Sequence, residues 1–537
     1  MPSRSLVGHT FRSHLGSALA IGIGGGAGLW IFGLGYAQES ARFVGGREAL
    51  GQSMQVAAEA MRVLRWPAER LDTLGGYMTY HNLTLLPLLV GLYAIVQGAQ
   101  AIRGAEERGV LEMWLASGRS RASIVVARTV GFLAALCVAA LGLGTGTALA
   151  LAAGGESAPG AALLAVAVGV LAAFVFYAAA LLVSQVFRTS GRAVGLTSLV
   201  MVILYVANNV SDQIGVFGAL RFASPFFYRQ SSDVLVPGHA FDTGATLVLA
   251  IAAAALVVGA IVLLDRRDYG APLWRSPERA GSAGVGMLRS PWLRTIALAS
   301  LGEQRGAIFA WIVGTGVFLG TFALLIPAAV DLWDSMPLLR QLLAGPSGSL
   351  EDRYVSFAIA IIAPATAAFA VVQCSHWVAD EAAGRTEMLL SCPVSRGRLL
   401  THRAVVVGVG ALLTVAGGFA GLAIGSRIVD VALLGPGLAR GALMLTLVAL
   451  AVAGVGSLVT TIAPRGPVVG LLVAWIVASS MLVEIVPLLA WPAWIARLSI
   501  FDALGEPYLV SLELGRVMLL AALAFGGPVL ARFAAQR

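Results

Sequence analysis

Long apolar runs recur along the whole chain, separated by short stretches rich in Arg, Gly, Pro and acids. A helix crosses the ~30 Å hydrocarbon core of a bilayer in about 20 residues, and twelve runs approach or exceed that length. The first half holds 15–36, 79–101, 124–152, 159–187, 193–210 and 243–264. The second half holds 306–329, 354–377, 404–426, 438–463, 468–488 and 515–533. The first run follows Arg4 and Arg12, as in a signal peptide, but it is long and no A-x-A site precedes the next polar stretch; it reads as a retained helix. The pattern predicts an all-α polytopic membrane protein with twelve transmembrane helices.

Composition agrees. The 537 residues are 58% hydrophobic and only 12% charged, with a mean hydropathy of +0.85. A soluble domain carries about 25% charged residues, so this chain cannot cover a surface in water. All 36 basic residues are Arg. A phosphate-binding G-x-x-x-x-G-K-[ST] loop and a Schiff-base lysine both need Lys, so both chemistries are excluded. The three cysteines, Cys137, Cys374 and Cys392, imply no disulfide framework. The six His have no metal-ligand spacing, and Cys374 with His376 reads as packing.

Twelve spans put both termini on one side. The loops on that side hold 23 of the 36 Arg but 10 of the 28 acids. The positive-inside rule makes that side cytoplasmic.

Two loops on this side match at a constant offset. EERGVLEMWLASGRSRASIVVAR (Glu106–Arg128) aligns with EAAGRTEMLLSCPVSRGRLLTHR (Glu381–Arg403), 275 positions later. Glu106 pairs with Glu381, Gly109 with Gly384, Glu112-Met113 with Glu387-Met388, Leu115 with Leu390, Ser120-Arg121 with Ser395-Arg396, and Arg128 with Arg403. The same offset sets Ser224 and Phe226 against Ser499 and Phe501. The chain therefore reads as a tandem duplication: a first six-helix half over 1–264, an Arg-, Pro- and Gly-rich cytoplasmic linker over 265–303, and a second six-helix half over 304–537.

Within the first loop, 104–117 predicts a short helix with acids in its early turns. Val110, Leu111, Trp114 and Leu115 form one apolar face, and Gly118 and Ser120 end it. A helix that merely lay on an anionic leaflet would gain nothing from Glu106, Glu107 and Glu112. Acids at matching places suggest a docking surface for a protein.

The pattern E-x-x-G-x-x-E-x-x-L…S-R, between the second and third spans of a six-helix unit, resembles the ATP-binding-cassette type-2 exporter permeases. The duplicated single-chain form is similar to permeases of actinobacterial polyketide or ionophore antibiotic exporters. The resemblance covers most of the chain, though its specific motifs are the two loops. The first copy departs in having Gly118-Arg119 where the second has Pro393-Val394. In that family this segment is a coupling helix that seats in a groove of the ATPase. The resemblance implies coupling through loops 104–121 and 379–396, by Glu106, Glu107, Gly109, Leu111, Glu112, Leu115 and Arg121, and by Glu381, Gly384, Glu387, Leu390 and Arg396. It implies a non-enzymatic permease of the bacterial plasma membrane, with two copies of an ATPase subunit as partners. ATP and Mg would sit on those partners, with no cofactor in this chain. Membrane lipids and a hydrophobic or amphipathic compound (a drug, antibiotic or lipid) would be its other partners, and no nucleic acid. Glu112 and Glu387 are expected to face the ATPase or to pair with Arg121 and Arg396.

A twelve-span ion-coupled transporter is the alternative. It would normally carry a G-x-x-x-D-R-x-G-R loop and membrane-buried carboxylates, and neither is seen. A membrane transferase would need external carboxylates; Glu39, Glu69 and Asp72 form no recognisable set. A transport path is expected between the halves, with Tyr93, Gln97, Tyr205, Asn208, Gln373 and Trp475 as candidates by position. The external stretch Glu48–Trp66 predicts an amphipathic helix, lying on the outer leaflet or packed on the bundle, or else forming a lid over an exit path. Segments 211–242 and 484–514 carry aromatics suited to a membrane interface. G-x-x-x-G pairs at 22/26 and 24/28, with Gly142, Gly144 and Gly146, predict close helix packing.

Overall fold

The computed structural model describes residues 4–534 apart from 44, 61–65, 213–214, 216–217, 272–294, 335–347, 383, 393, 463–467 and 489–490. Most of the expected linker, Pro393, and the end of the external helix (Met61 and Leu64) lie outside the described residues. Among those described, the secondary structure is helical with no strand. Among the described residues, eleven helices are long and apolar enough to cross a membrane; the chain is a polytopic membrane protein. A further apolar stretch, Val468–Val483, is shorter.

Two compact units divide the chain, Met1–Glu278 and Arg279–Arg537. In the first, α1 (Arg4–Leu19) passes through a π-helical turn into α2 (Gly25–Arg42), followed by α3 (Gly46–Ala60). Then come α4 (Leu74–Met78), α5 (Leu86–Ala99), α6 (Ala105–Glu107) and α7 (Val110–Ala116). The unit continues through α8 (Arg121–Ala153), α9 (Pro159–Val186), α10 (Ser190–Asn209), α11 (Pro225–Gln230) and α12 (Thr243–Arg266). The second unit holds α13 (Ile296–Leu324), α14 (Ile326–Asp334), α15 (Leu350–Ala382), α16 (Arg385–Leu390), α17 (Arg396–Ile428), α18 (Gly435–Ile462), α19 (Val468–Leu488) and α20 (Leu514–Ala534). Helices α8 and α17 have 33 residues each. At 1.5 Å per residue that is about 50 Å, longer than the hydrocarbon core, so each must tilt or project beyond it.

In the first unit, α1 and α2 pack along α8, while α5 and α12 pack along α9. In the second, α13 packs along α17, while α15 and α20 pack along α18. Lipid tails are as apolar as Leu, so small residues that bring backbones together supply much of the attraction. A Cβ on Gly142 or Gly146 would run into the backbone of Gly22 or Gly26. A Cβ on Gly421 or Gly425 would run into that of Gly316 or Gly320. The 22/26 pair is thus the seam. The 24/28 pair is not, since Gly24 and Gly28 have no heavy atom within 4 Å of a Cβ position.

Helix α3, expected to be external, packs on its own unit. Leu50 and Ala58 are buried, Tyr80 donates to the Ala58 carbonyl, and Arg47 donates to the Gly154 carbonyl at 2.8 Å. The aromatic segments divide. Phe226 is buried against Phe176 and Tyr205, whereas Phe222 and Trp494 are more than half exposed. The Ser224 hydroxyl donates to the Leu204 carbonyl at 3.1 Å, and the Ser499 hydroxyl to the Ser479 carbonyl at 2.7 Å.

Gly146→Val and Gly421→Val should each lower the thermal midpoint in detergent, at a cost of about 1–3 kcal/mol from overpacking. Gly28→Ala should leave it unchanged or raise it, since Ala is the better helix former. Equal losses at all three positions would place the seam elsewhere.

Candidate functional site

The loop 104–121 is built by local rules. Gly109 takes φ +70°, in the left-handed region that glycine enters without penalty, and its N–H donates to the Glu106 carbonyl at 3.0 Å. That turn separates α6 from α7. Gly118, at φ +78°, stops α7. The Ser120 hydroxyl then caps α8 by accepting from the Ser123 N–H at 3.2 Å.

The loop 379–396 repeats this geometry. Gly384 takes φ +69° with its N–H on the Glu381 carbonyl at 3.1 Å. The Ser395 hydroxyl caps α17, accepting from the Arg398 N–H at 3.3 Å.

The acids of the first loop have separate fates. Glu106 turns inward: its side chain is 5% exposed and lies between Arg103 and Arg267, each 2% exposed. Arg103 donates to Oε2 at 2.8 Å and Arg267 at 2.6 Å, while the Gly270 N–H donates to Oε1 at 2.6 Å. Arg267 also donates to Gln185 Oε1 at 3.1 Å, and Arg103 to the Ser184 carbonyl at 3.3 Å. Glu106 therefore joins the end of the second span to the end of α9 and to the segment after α12. Its carboxylate thus faces inward, where its charge alone would suggest the outer face of the loop. Glu107 is exposed but engaged: its carboxylate takes the N–H and hydroxyl of Ser190, at 2.7 and 2.8 Å, where α10 starts.

Helix α7 is two-faced. Leu111 is buried and half-buried Leu115 lies beside it, both lining a small cleft with Leu264, Arg267 and Tyr269. The other face presents exposed Glu112 and Met113, the latter 64% exposed. Arg121, the expected partner of Glu112, instead donates to the main-chain carbonyls of Leu264, Asp265 and Arg267. Glu112 reaches Tyr269. Partial desolvation, then that hydrogen bond, raises the phenol above its ordinary pKa.

In the second loop, Glu381 is half-buried and accepts from Arg403 at 3.3 Å. Arg403 also donates to Thr386 and lies 5.5 Å over Trp377. Glu387 and Met388 are exposed, Met388 by 71%, while Leu390 is half-buried. Met113 and Met388 are thus an exposed pair at the 275-residue offset. They were legible only as matched letters, because an apolar residue on a membrane protein gives no sign of facing water.

The residues offered for a transport path lie within their own units. Tyr93 meets His14 Nδ1 at 3.3 Å. Gln97 and Trp475 are half-buried, while Tyr205, Asn208 and Gln373 are buried. Both amide atoms of Asn208 and the Gln373 oxygen lack partners. Cys374 is packed against Gly456. A second buried ion pair, Arg229 with Asp233, sits at the opposite end of the first unit, where Arg229 also donates to the Leu83 carbonyl at 2.8 Å. Desolvation lowers the Arg229 pKa to about 10. The burial of Glu106 is not evident from sequence, because Arg267 lies far along the chain from it, whereas Arg229 and Asp233 are four residues apart.

The family model described as ABC-2 family transporter protein matches residues 36–269. That described as multidrug efflux system permease Rv1217c, C-terminal domain, matches residues 294–534. The multidrug efflux system permease protein Rv1217c of Mycobacterium tuberculosis (strain ATCC 25618 / H37Rv) is 26% identical over 388 residues, covering 70% of this chain and 67% of the relative.

Removing the acid between Arg103 and Arg267 leaves two buried like charges. Glu106→Gln should therefore destabilise the chain by about 3–5 kcal/mol, read as a lowered thermal midpoint in detergent. Exposed Glu112→Gln should leave the midpoint in place. Equal shifts would contradict the burial of Glu106.

Proposed function

We propose that this chain, which belongs to the ABC-2 family of transporter permeases and is a multi-pass plasma-membrane protein, is the membrane subunit of an ATP-driven exporter. It spans the membrane twelve times as two tandem six-helix repeats, with both termini in the cytoplasm. It moves hydrophobic or amphipathic compounds outward, in keeping with the multidrug efflux name of its relative. Two copies of a separate ATPase, carrying ATP and Mg, dock on loops 104–121 and 379–396.

One observation carries this reading. At the 275-residue offset, each loop places an exposed Glu-Met pair beyond a left-handed glycine and before a Ser-capped helix. An exposed methionine beside an acid, repeated at the same place in both loops, suits a surface that a protein covers, because methionine adapts to a partner's contours. Glu112-Met113 and Glu387-Met388 are the contact, whereas Gly109, Gly384, Leu111, Leu115, Leu390 and Arg121 shape the loops. Glu106, Glu107 and Glu381 fix each loop to its own unit. The pairing of helices also supports a repeat. In each unit the first span lies on the third, and the second and sixth lie on the fourth.

The test is the double variant Glu112→Ala with Glu387→Ala. The chain should remain folded in the membrane, since both side chains are exposed. It should lose co-purification with its ATPase or stimulation of ATP hydrolysis, and export should cease. Normal binding, stimulation and export would reduce both acids to local helix capping.

A further inference from the structure

Arg128 and Arg403 occupy the same place in the two units, seven residues into α8 and α17. That is about 10 Å along the helix axis, near the loop end of each helix. Their surroundings differ. Arg403 has a carboxylate, Glu381, at 3.3 Å. The residue matching Glu381 in the first unit is Glu106, and it is engaged by Arg103 and Arg267. Among the described residues, Arg128 is left with one hydroxyl, Thr10 Oγ1 at 3.3 Å, and the face of Trp114 at 5.5 Å. Its Nε is buried without a partner. The Arg108 cation also acts on it unfavourably.

Two hydroxyls lie beside it. Tyr177, 1% exposed, and the adjacent Thr129, 8% exposed, both lie near Arg128, and their hydroxyls face each other with no further partner among the described residues. Phe132 stacks on Tyr177 at 4.5 Å, and the His14 ring meets the edge of Phe132 at 5.2 Å. His14 in turn contacts Tyr93 Oη at 3.3 Å. A half-buried guanidinium with no carboxylate partner among the described residues is unfavourable in such surroundings, and the buried hydroxyls beside it retain unused hydrogen-bonding capacity. Guanidinium and hydroxyl donors together match the oxygens of a phosphate.

We propose that Arg128, with Thr129 and Tyr177, binds the phosphate of an anionic amphiphile at the membrane face carrying loop 104–121. This site is confined to the first unit, because Glu381 already answers the second unit's arginine. It does not depend on which compound the chain transports.

The full chain in neutral detergent would be titrated with phosphatidylglycerol, and separately with inorganic phosphate, and bound molecules counted by native mass spectrometry. The wild type should retain phosphatidylglycerol at a saturable site. Arg128→Gln should weaken that site about tenfold or more, the size expected for a lost hydrogen bond to a charged group. Arg128→Lys should restore part of it, and Arg403→Gln should leave it intact. Retention of phosphatidylglycerol alone assigns the phosphate to a lipid headgroup. Equal Arg128-dependent binding of inorganic phosphate assigns it to a free anion, and overturns the amphiphile. If Arg128→Gln does not fold, Thr129→Val and Tyr177→Phe, which each remove one hydroxyl and leave Arg128 in place, should weaken the same site. Unchanged affinity in every variant would overturn the proposal.

Discussion

The carboxylate of Glu106, held between the guanidinium groups of Arg103 and Arg267, is the contact on which the first loop depends. All three side chains are out of water, where one carboxylate must answer two cations. The Gly270 N–H and Gln185 complete the set. A buried ion pair adds little net stability against an apolar alternative, but losing one partner is severe. Its value lies in position. It locks the end of the second span to the end of α9 and to the residues following α12, so the loop cannot shift without those helix ends.

The rest of the loop follows from that anchor. With Glu106 inside, Leu111 and Leu115 turn toward Leu264, and Glu112 and Met113 are left facing outward. Glu107 ties the same loop to the start of α10 through Ser190. The second loop has the same glycine turn and serine cap but another anchor, in which Arg403 joins Glu381, Thr386 and Trp377. The two loops thus share an outward face and differ in how they are held. With the anchoring acid engaged by Arg103 and Arg267, Arg128 has no carboxylate among the described residues.

The helices, the glycine turns and the serine caps were legible because each is local. An apolar run of 20 residues, a glycine that must take positive φ, and a serine before a helix need no distant partner. The 22/26 glycine pair was legible as a motif, but its equal-looking neighbour 24/28 was not separable from it. Only the rotation of the helix against Gly142 and Gly146 decides between them. The inward turn of Glu106 was hidden for the opposite reason. Its partner Arg267 is 161 residues away, and an acid in a loop looks like surface until that arginine is placed. Arg121 misled likewise, since a charged neighbour suggests an ion pair while the folded chain presents it with free carbonyls at the end of α12.

The central claim is that Met113 and Met388, each beside an exposed glutamate, form the surface on which an ATPase sits. Replacing each methionine in turn with a photo-crosslinking amino acid, in cells that also make the ATPase, tests it most directly. Irradiation should join the chain to the ATPase from both positions, and from neither exposed Leu141 nor Ile251, which lie on spanning helices. Adducts confined to lipid or to the chain itself, from both methionines, would contradict it.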